Sequence, residues 1–152
     1  MALHEYRKLF LESIYSIENI STYLQPRIPL LSELQLTIRQ ESIMLLYIRH
    51  EDMNLSGMAE KLGISKSAVS QAMRNLEKED LLHRSINENN RREITLSLGE
   101  NGKILKQQFE DFEDEILEKY ISNLDLDEMK QVRNILLKLE EMIRNDEERD
   151  HK

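Results

Sequence analysis

Hydrophobic residues recur at steps of three and four along most of this chain, and that spacing predicts a mainly helical protein. The first stripe predicts a helix that ends before Pro26, with apolar positions at Leu3, Tyr6, Phe10, Ile14, Ile17 and Leu24. Pro26 and Pro29 bracket a short connection. The second stripe predicts a helix that runs to about His50, with apolar positions at Leu34, Ile38, Ile43, Leu46 and Tyr47.

Two shorter helices joined by a tight turn are predicted next. Asn54 is a suitable N-cap for the third helix, and Gly63 has the backbone freedom that a turn at its end requires. Ser65 is a suitable N-cap for the fourth helix, whose inward positions are Val69, Ala72, Met73 and Leu76. The helical period leaves a polar set on the other side of this helix: Lys66, Ser67, Ser70, Gln71 and Arg74.

The period changes from helical to alternating between residues 81 and 98. Residues 81–85, a turn at 87–90 and a return over 92–98 predict a hairpin whose tip carries Arg91 and Arg92. A helix, a turn, a second helix and a basic hairpin together form a winged helix-turn-helix. In that fold the second helix enters a DNA major groove and the hairpin reaches the neighbouring backbone, so DNA binding is the leading hypothesis.

Two long helices are predicted after the hairpin. The fifth helix begins at residues 100–102, and its apolar stripe is Leu105, Phe109, Phe112, Ile116 and Tyr120. Asp125 and Glu128 have the spacing of a capping box and begin a sixth helix, with a stripe of Met129, Val132, Leu136, Leu139 and Ile143. The fold class is therefore mainly α, with about six helices and a small β wing.

Charge is unevenly distributed along the 152 residues. The net charge is −8, but residues 61–92 contain seven basic and four acidic side chains, a net +3 that leaves −11 for the rest. Because charges are screened over roughly 8 Å at physiological salt, only the face that meets phosphate has to be basic. With only 4 Gly and 2 Pro there are few turns, so long helices are expected. Because 33% of the residues are charged, one chain is polar for a self-contained globule, and the apolar stripes of these helices are expected to pack against a second subunit.

Other classes of function are disfavoured by what the sequence lacks. The absence of cysteine excludes disulfides and thiolate metal sites, and the four histidines have no ligand spacing, so no metal and no cofactor are expected. No apolar run reaches a membrane span, and residues 1–8 lack the continuous apolar core of a secretory signal, so we expect a soluble, cytoplasmic protein without a membrane partner. The sequence shows no nucleophile–base set and no glycine-rich phosphate loop, so an enzyme is not expected.

Nearly the whole chain resembles the MarR family of transcriptional regulators (the multiple-antibiotic-resistance regulators). The most specific segment is 58–82, above all the stretches 65–70 and 75–82. The resemblance implies an intertwined homodimer that binds a pseudo-palindromic double-stranded DNA operator, as a repressor that a small-molecule effector releases. The implied organisation is an N-terminal dimerisation helix over 1–30, a winged lobe over 31–99, C-terminal dimerisation helices over 100–146 and a frayed tail over 147–152.

The chain departs from the family pattern in two places. The usual Asp-Xaa-Arg of the wing reads Asn90-Arg91-Arg92, which puts an ion pair inside the wing in doubt but adds positive potential to the tip. The common Leu-Thr after the wing reads Leu98-Gly99, which weakens a helix cap. The resemblance also implies an effector pocket between the dimer helices and the lobe, to which Tyr6, Phe10, Ile14 and Met44 could contribute.

The candidate DNA-binding residues lie on the fourth helix and at the wing tip: Ser65, Lys66, Ser67, Ser70, Gln71, Arg74, Arg91 and Arg92. Gln71 can pair with an adenine edge, Arg74 can reach guanine or phosphate, and the helix start can hold phosphate. Which of them read bases stays open. Two alternatives also stay open: a winged-helix module that binds protein, which the net acidity favours, and a DNA-binding activator without a ligand.

Overall fold

The fold is mainly helical with one small antiparallel sheet, as the sequence predicts. The structure is a computed structural model that describes residues 2–24, 27–90 and 92–151. Its elements, in chain order, are α1 (Ala2–Tyr23), α2 (Pro29–Glu33), α3 (Ile38–Arg49), α4 (Leu55–Leu62), α5 (Lys66–Lys78), β1 (Leu82–Ile86), β2 (Ile94–Leu98), α6 (Glu100–Lys119) and α7 (Leu126–Asp150), with a 3-10 turn at Ile121–Asn123. The chain forms two compact units, one up to Phe112 and one from Glu113 onward.

The core of the first unit is built from α3, α4, α5, the sheet and the start of α6. Its fully buried side chains are Ile43, Met44, Met58, Val69, Met73, Leu76, Leu81, Leu82 and Leu105. All four inward positions predicted for α5 are buried. This apolar contact therefore fixes which side of α5 faces solvent.

The local signals for α4 and α5 are confirmed. The Asn54 side chain accepts a hydrogen bond from the Gly57 backbone N–H at 2.7 Å, and Ser65 Oγ accepts one from the Ala68 N–H at 3.0 Å. Gly63 ends α4 in the left-handed conformation, with φ of 65°. These caps satisfy helix-end groups that have no partner within the helix, and they set the sharp turn between the two helices.

The region before residue 50 differs from the sequence prediction. The second stripe, which begins at Leu34, predicts one helix, whereas the structure has the short helix α2 at Pro29–Glu33 and begins α3 only at Ile38. Thr37 and Gln40 form a complete capping box, which fixes the start of α3. Pro29 takes the first position of α2, where its fixed φ and missing N–H are tolerated.

The hairpin has the predicted alternation. Leu82 pairs with Leu98 and Ile86 with Ile94, so Leu96 turns into the core while Ser97 remains exposed. The Tyr47 hydroxyl donates to the Leu96 carbonyl oxygen at 2.8 Å and ties α3 to the sheet. Burial, with a further contribution from the charge of Glu51, raises the pKa of Tyr47, which keeps this donor protonated.

Asp80 makes the corner between α5, the hairpin and α6. It lies in the left-handed region with φ of 55°, which Asp tolerates better than most residues. Its carboxylate accepts from the Glu100 N–H at 3.2 Å, and its carbonyl oxygen accepts from the N–H groups of Asn101 and Gly102 at 3.1 and 3.2 Å. The hydrogen bond with His83 lowers the pKa of the Asp80 carboxyl, which is therefore ionised at neutral pH. Asp80 thus caps α6, although Leu98-Gly99 lacks the local cap of the family.

Helices α1 and α7 keep their apolar residues exposed. None of the described residues of either helix is buried, and α7 begins with the predicted Asp125–Glu128 capping box. Helix α7 continues to Asp150, and Glu and Arg are strong helix formers. The fraying expected over 147–152 stays a prediction. Among the described residues, none of the helices has the length and apolar character needed to cross a bilayer.

Candidate nucleic-acid interface

The outward face of α5 carries most of the candidate residues. Lys66, Ser67, Gln71 and Arg74 are exposed, opposite the buried face that packs on the core. Ser65 stands at the N-cap, where its oxygen accepts the Ala68 N–H and its own O–H is left to donate outward. The structure thus brings these five positions onto one solvent-facing surface, with the positive end of the helix beside it.

Ser70 has a partner that the sequence analysis missed. It is half-buried, and its Oγ accepts a hydrogen bond from Nη1 of Arg84 at 2.5 Å. Nε of Arg84 pairs with the carboxylate of Glu77, also on α5. Ser70 therefore faces the first wing strand as well as solvent.

The wing tip is a compact turn stabilised by its own asparagines. The Asn87 side chain accepts from the Asn89 N–H at 3.0 Å, and the Asn90 side chain accepts from the Arg92 N–H at 3.2 Å. Arg92 is exposed. The candidate Arg91 lies outside the described residues. The neutral Asn90 side chain thus orders the turn by accepting from a backbone N–H, and it adds no negative charge to the tip.

Glu93 anchors the base of the wing, a role that the sequence analysis also missed. Its Oε1 accepts from the Asn54 side-chain amide at 2.9 Å, and its Oε2 accepts from that of Asn87 at 3.2 Å. Asn54 therefore caps α4 and holds the hairpin at the same time. The sequence gives little indication of this contact, because Asn54 and Glu93 are 39 positions apart and neither residue is unusual at its own position.

A small cavity of about 380 Å³ lies between the start of α3 and the outward face of α5. Gln71 and Ala68 line it from α5, and Thr37, Arg39 and Gln40 line it from α3. Oε1 of Gln40 accepts from the Thr37 N–H at 2.9 Å and from the Asn75 side chain at 3.3 Å, which fixes the two helices relative to each other. The start of α3 thus borders the same solvent-facing surface.

The residues suggested for an effector pocket have different environments. Met44 is fully buried in the core, whereas Tyr6 and Phe10 expose 72% and 60% of their surface. Ile14 is half-buried. In this single subunit Tyr6 and Phe10 are therefore surface residues, and Met44 packs in the core of the first unit.

Helices α4 and α5 with the β1–β2 hairpin define a winged helix-turn-helix protein. The sequence model of the MarR family matches residues 36–94, which span α3 to the start of β2. The HTH-type transcriptional repressor MdtR of Bacillus subtilis (strain 168) is 32% identical over 104 residues, which cover 68% of this chain and 67% of MdtR. This chain belongs to the MarR family.

Two further relatives agree with that assignment. The organic hydroperoxide resistance transcriptional regulator of B. subtilis is 29% identical over 115 residues, 76% of this chain and 77% of the relative. A point mutant of S. aureus MepR bound to an oligodeoxyribonucleotide superposes with a TM-score of 0.54 at 25% identity, over 86% of this chain and 97% of MepR. MepR bound to ethidium bromide gives 0.58 at 25% identity, over 85% and 94%. The curated relatives are transcriptional regulators, which confirms the expectation of a regulator and not an enzyme.

Proposed function

We propose that this protein is a homodimeric transcriptional repressor that binds a pseudo-palindromic double-stranded DNA operator in the cytoplasm and is released by a small molecule. The observation that carries the proposal is the partition of α5: four buried apolar residues hold it on the core, and the opposite face presents exposed polar groups beside a cationic wing. That arrangement matches a recognition helix with an adjacent wing. The MepR mutant bound to an oligodeoxyribonucleotide supports DNA as the ligand.

The chemistry of each exposed group suggests its role on DNA. The Gln71 amide can both donate and accept, which suits an adenine edge, and the Arg74 guanidinium suits guanine or phosphate. Ser65, Lys66 and Ser67 stand at the helix start, where N–H groups and positive charge favour a phosphate. Arg92, together with Arg91 next to it in sequence, supplies cations that suit the backbone or the minor groove.

The apolar surfaces of α1 and α7 support the homodimer. The exposed large apolar residues of α7 are Leu126, Val132, Ile135, Leu136, Leu137, Leu139, Met142 and Ile143. Those of α1 are Leu3, Tyr6, Leu9, Phe10, Leu11, Tyr15, Ile17, Ile20 and Tyr23. A monomer rarely leaves so many large apolar side chains in water. A second copy of the chain would cover them and present two α5 helices with two-fold symmetry. Such symmetry matches a palindrome whose half-sites are about 34–36 Å apart.

Repression and release form the regulatory part of the proposal. The similarity to MdtR, a transcriptional repressor, supports repression, and the MepR complex with ethidium bromide supports a small organic ligand. A ligand would release the operator only as far as it binds the DNA-incompatible conformation more tightly than the DNA-bound one. Screening candidate ligands against the preformed protein–DNA complex therefore tests this part separately from DNA binding.

The test of the function is fluorescence anisotropy on genomic fragments, including the protein's own promoter, from low to physiological salt. We expect tight binding to one fragment that falls steeply with salt, because phosphate contacts release counterions. Arg92→Ala should weaken binding to all fragments and reduce the salt slope by about one unit. Lys103→Ala, which removes an exposed cation from α6, is the matched control and should leave both quantities unchanged. Unaltered affinity and slope for Arg92→Ala would remove the wing tip from the interface.

A substitution on α7 tests the dimer. Leu136→Lys is expected to shift a dimer to monomers at micromolar concentration, because it places an unpaired charge in an apolar interface and weakens association by at least about tenfold. Sedimentation velocity measures the change. Asn134→Lys introduces the same charge on the other side of the helix and should remain dimeric. A wild-type monomer, or a Leu136→Lys dimer as tight as wild type, would contradict this use of α7.

A further inference from the structure

Arg84 connects the first wing strand to the outward side of α5. It lies on β1, and its guanidinium reaches Ser70 through Nη1 at 2.5 Å and the Glu77 carboxylate through Nε. Ser70 and Glu77 are seven residues apart, about two turns along one side of the helix. A single side chain therefore spans two turns of α5 and fixes the strand against it.

The chemistry of this contact requires an arginine. The planar guanidinium presents several N–H donors in a fixed fork, whereas a lysine ammonium is a compact charge that cannot hold two acceptors in this geometry. The Arg84 and Glu77 side chains are only 26% and 32% exposed, so the pair is better shielded from water than an ordinary surface ion pair. A charge-assisted hydrogen bond of this kind also holds a more defined geometry than a neutral one.

The position of Arg84 relates the contact to the wing tip. Arg84 pairs with Leu96 in the middle of the hairpin, and β1 leads directly from it to the turn at residues 87–90. The return side of the hairpin is held separately, because Glu93 accepts from Asn54 at the start of α4. The two strands of the wing are thus fastened to the two helices of the helix-turn-helix by different polar contacts.

We propose that Arg84 is a positioning residue for DNA binding: by holding β1 on α5 through Ser70 and Glu77, it fixes the wing tip relative to the recognition helix. Arg84 acts through Arg92 and not by contacting DNA itself. Ser70 accordingly contributes to binding as an acceptor for Arg84. This inference rests on the proposed DNA-binding function and adds a residue that the sequence analysis did not include.

A double-mutant cycle between Arg84 and Arg92 tests the proposal. Operator affinity is measured for wild type, Arg84→Gln, Arg92→Ala and the double variant. Independent contacts at separate positions multiply their effects, whereas residues that act through each other do not. We expect each single variant to weaken binding by about tenfold, and the double variant to bind no more weakly than Arg92→Ala alone.

The outcomes separate the inference from the function. If wild type shows no salt-sensitive DNA binding, the proposed function fails. If wild type binds but Arg84→Gln binds equally well, or the double variant is about a hundredfold weaker than wild type, Arg84 is not a positioning residue. Thermal unfolding of each variant distinguishes the proposed role from a merely structural one. In a structural role, Arg84→Gln would lower the melting temperature, and its effect on operator affinity would not depend on whether Arg92 is present.

A second pair of variants leaves Arg84 in place. Ser70→Ala should weaken operator binding in the wild type. It should have no further effect in the Arg84→Gln background, because the Ser70 hydroxyl then has no guanidinium from which to accept a hydrogen bond. An equal loss in both backgrounds would show that Ser70 contacts DNA directly and would overturn the role assigned to it here. Lys78→Gln, which removes a cation from the same helix, is the matched control for the loss of charge.

Discussion

Replacing Gln71 and Arg74 together with alanine is expected to weaken operator binding by about a hundredfold or more and to leave nonspecific binding largely intact. Both side chains are exposed on α5, and a good pairing to a base edge contributes about 1–3 kcal/mol of discrimination. Alanine is the strongest helix former, so the double variant should fold at least as well as wild type. Anisotropy titrations with the operator and with a scrambled duplex measure the two affinities side by side.

The control for the double variant lies on the neighbouring helix. A variant that combines Lys61→Ala with Glu60→Ala removes one cation and one anion from the exposed surface of α4, so its net charge is that of wild type. It should bind the operator as wild type does. If the Gln71/Arg74 variant still distinguishes operator from scrambled DNA, α5 is not the element that reads the sequence. If the wild-type protein itself binds no duplex beyond nonspecific levels, the exposed face of α5 should be tested for protein partners.

Gly102→Ala is expected to lower the free energy of unfolding by about 2–4 kcal/mol. A Cβ at this position would lie 2.0 Å from the carbonyl oxygen of Leu81, and this oxygen cannot move away because Leu81 is fully buried. The backbone must therefore shift at the junction where Gly102 N–H also donates to Asp80. Urea unfolding followed by circular dichroism measures the loss.

Gly57→Ala provides the comparison for that measurement. Its Cβ would lie 3.1 Å from Cγ of Met53, a flexible side chain that can move, and 3.2 Å from Oδ1 of Asn54, which has to give by only a few tenths of an ångström. Alanine also favours the helical conformation over glycine by roughly 1 kcal/mol. We expect Gly57→Ala to change stability by less than about 1 kcal/mol in either direction. Equal stability of the two variants would mean that the α6 junction is not as tightly packed as the distances indicate.

The parts of the fold that the sequence predicts are those whose partners lie within a few residues. Asn54, Ser65 and Asp125 act as caps at the predicted positions, and Gly63 takes the left-handed conformation that its turn needs. The buried face of α5 follows directly from its period. Caps and periods are local, so a single sequence contains all the information that they require.

The parts that the sequence does not predict depend on distant pairs. Nothing near Arg84 in sequence indicates that it meets Ser70, 14 residues away, and nothing near Asn54 points to Glu93. The short helix α2 is not predicted because Pro29 is typical of a connection as well as of the first position of a helix, which it occupies here. The eight candidate DNA-binding residues remain predictions, and Arg91 lies outside the described residues.

The corner at Asp80 implies that the residue at position 99, 19 residues further along the chain, is restricted to glycine by the path of the backbone. A side chain at position 99 would begin 2.2 Å from the Asp80 carbonyl oxygen and 2.4 Å from its carboxylate, so no residue with a Cβ fits here while the backbone keeps this path. Glycine at 99 in turn leaves the start of α6 without a local cap, which Asp80 replaces. Because the carbonyl oxygen belongs to the backbone, a smaller side chain at 80 would not make room for a side chain at 99; the backbone of this corner would have to take another path.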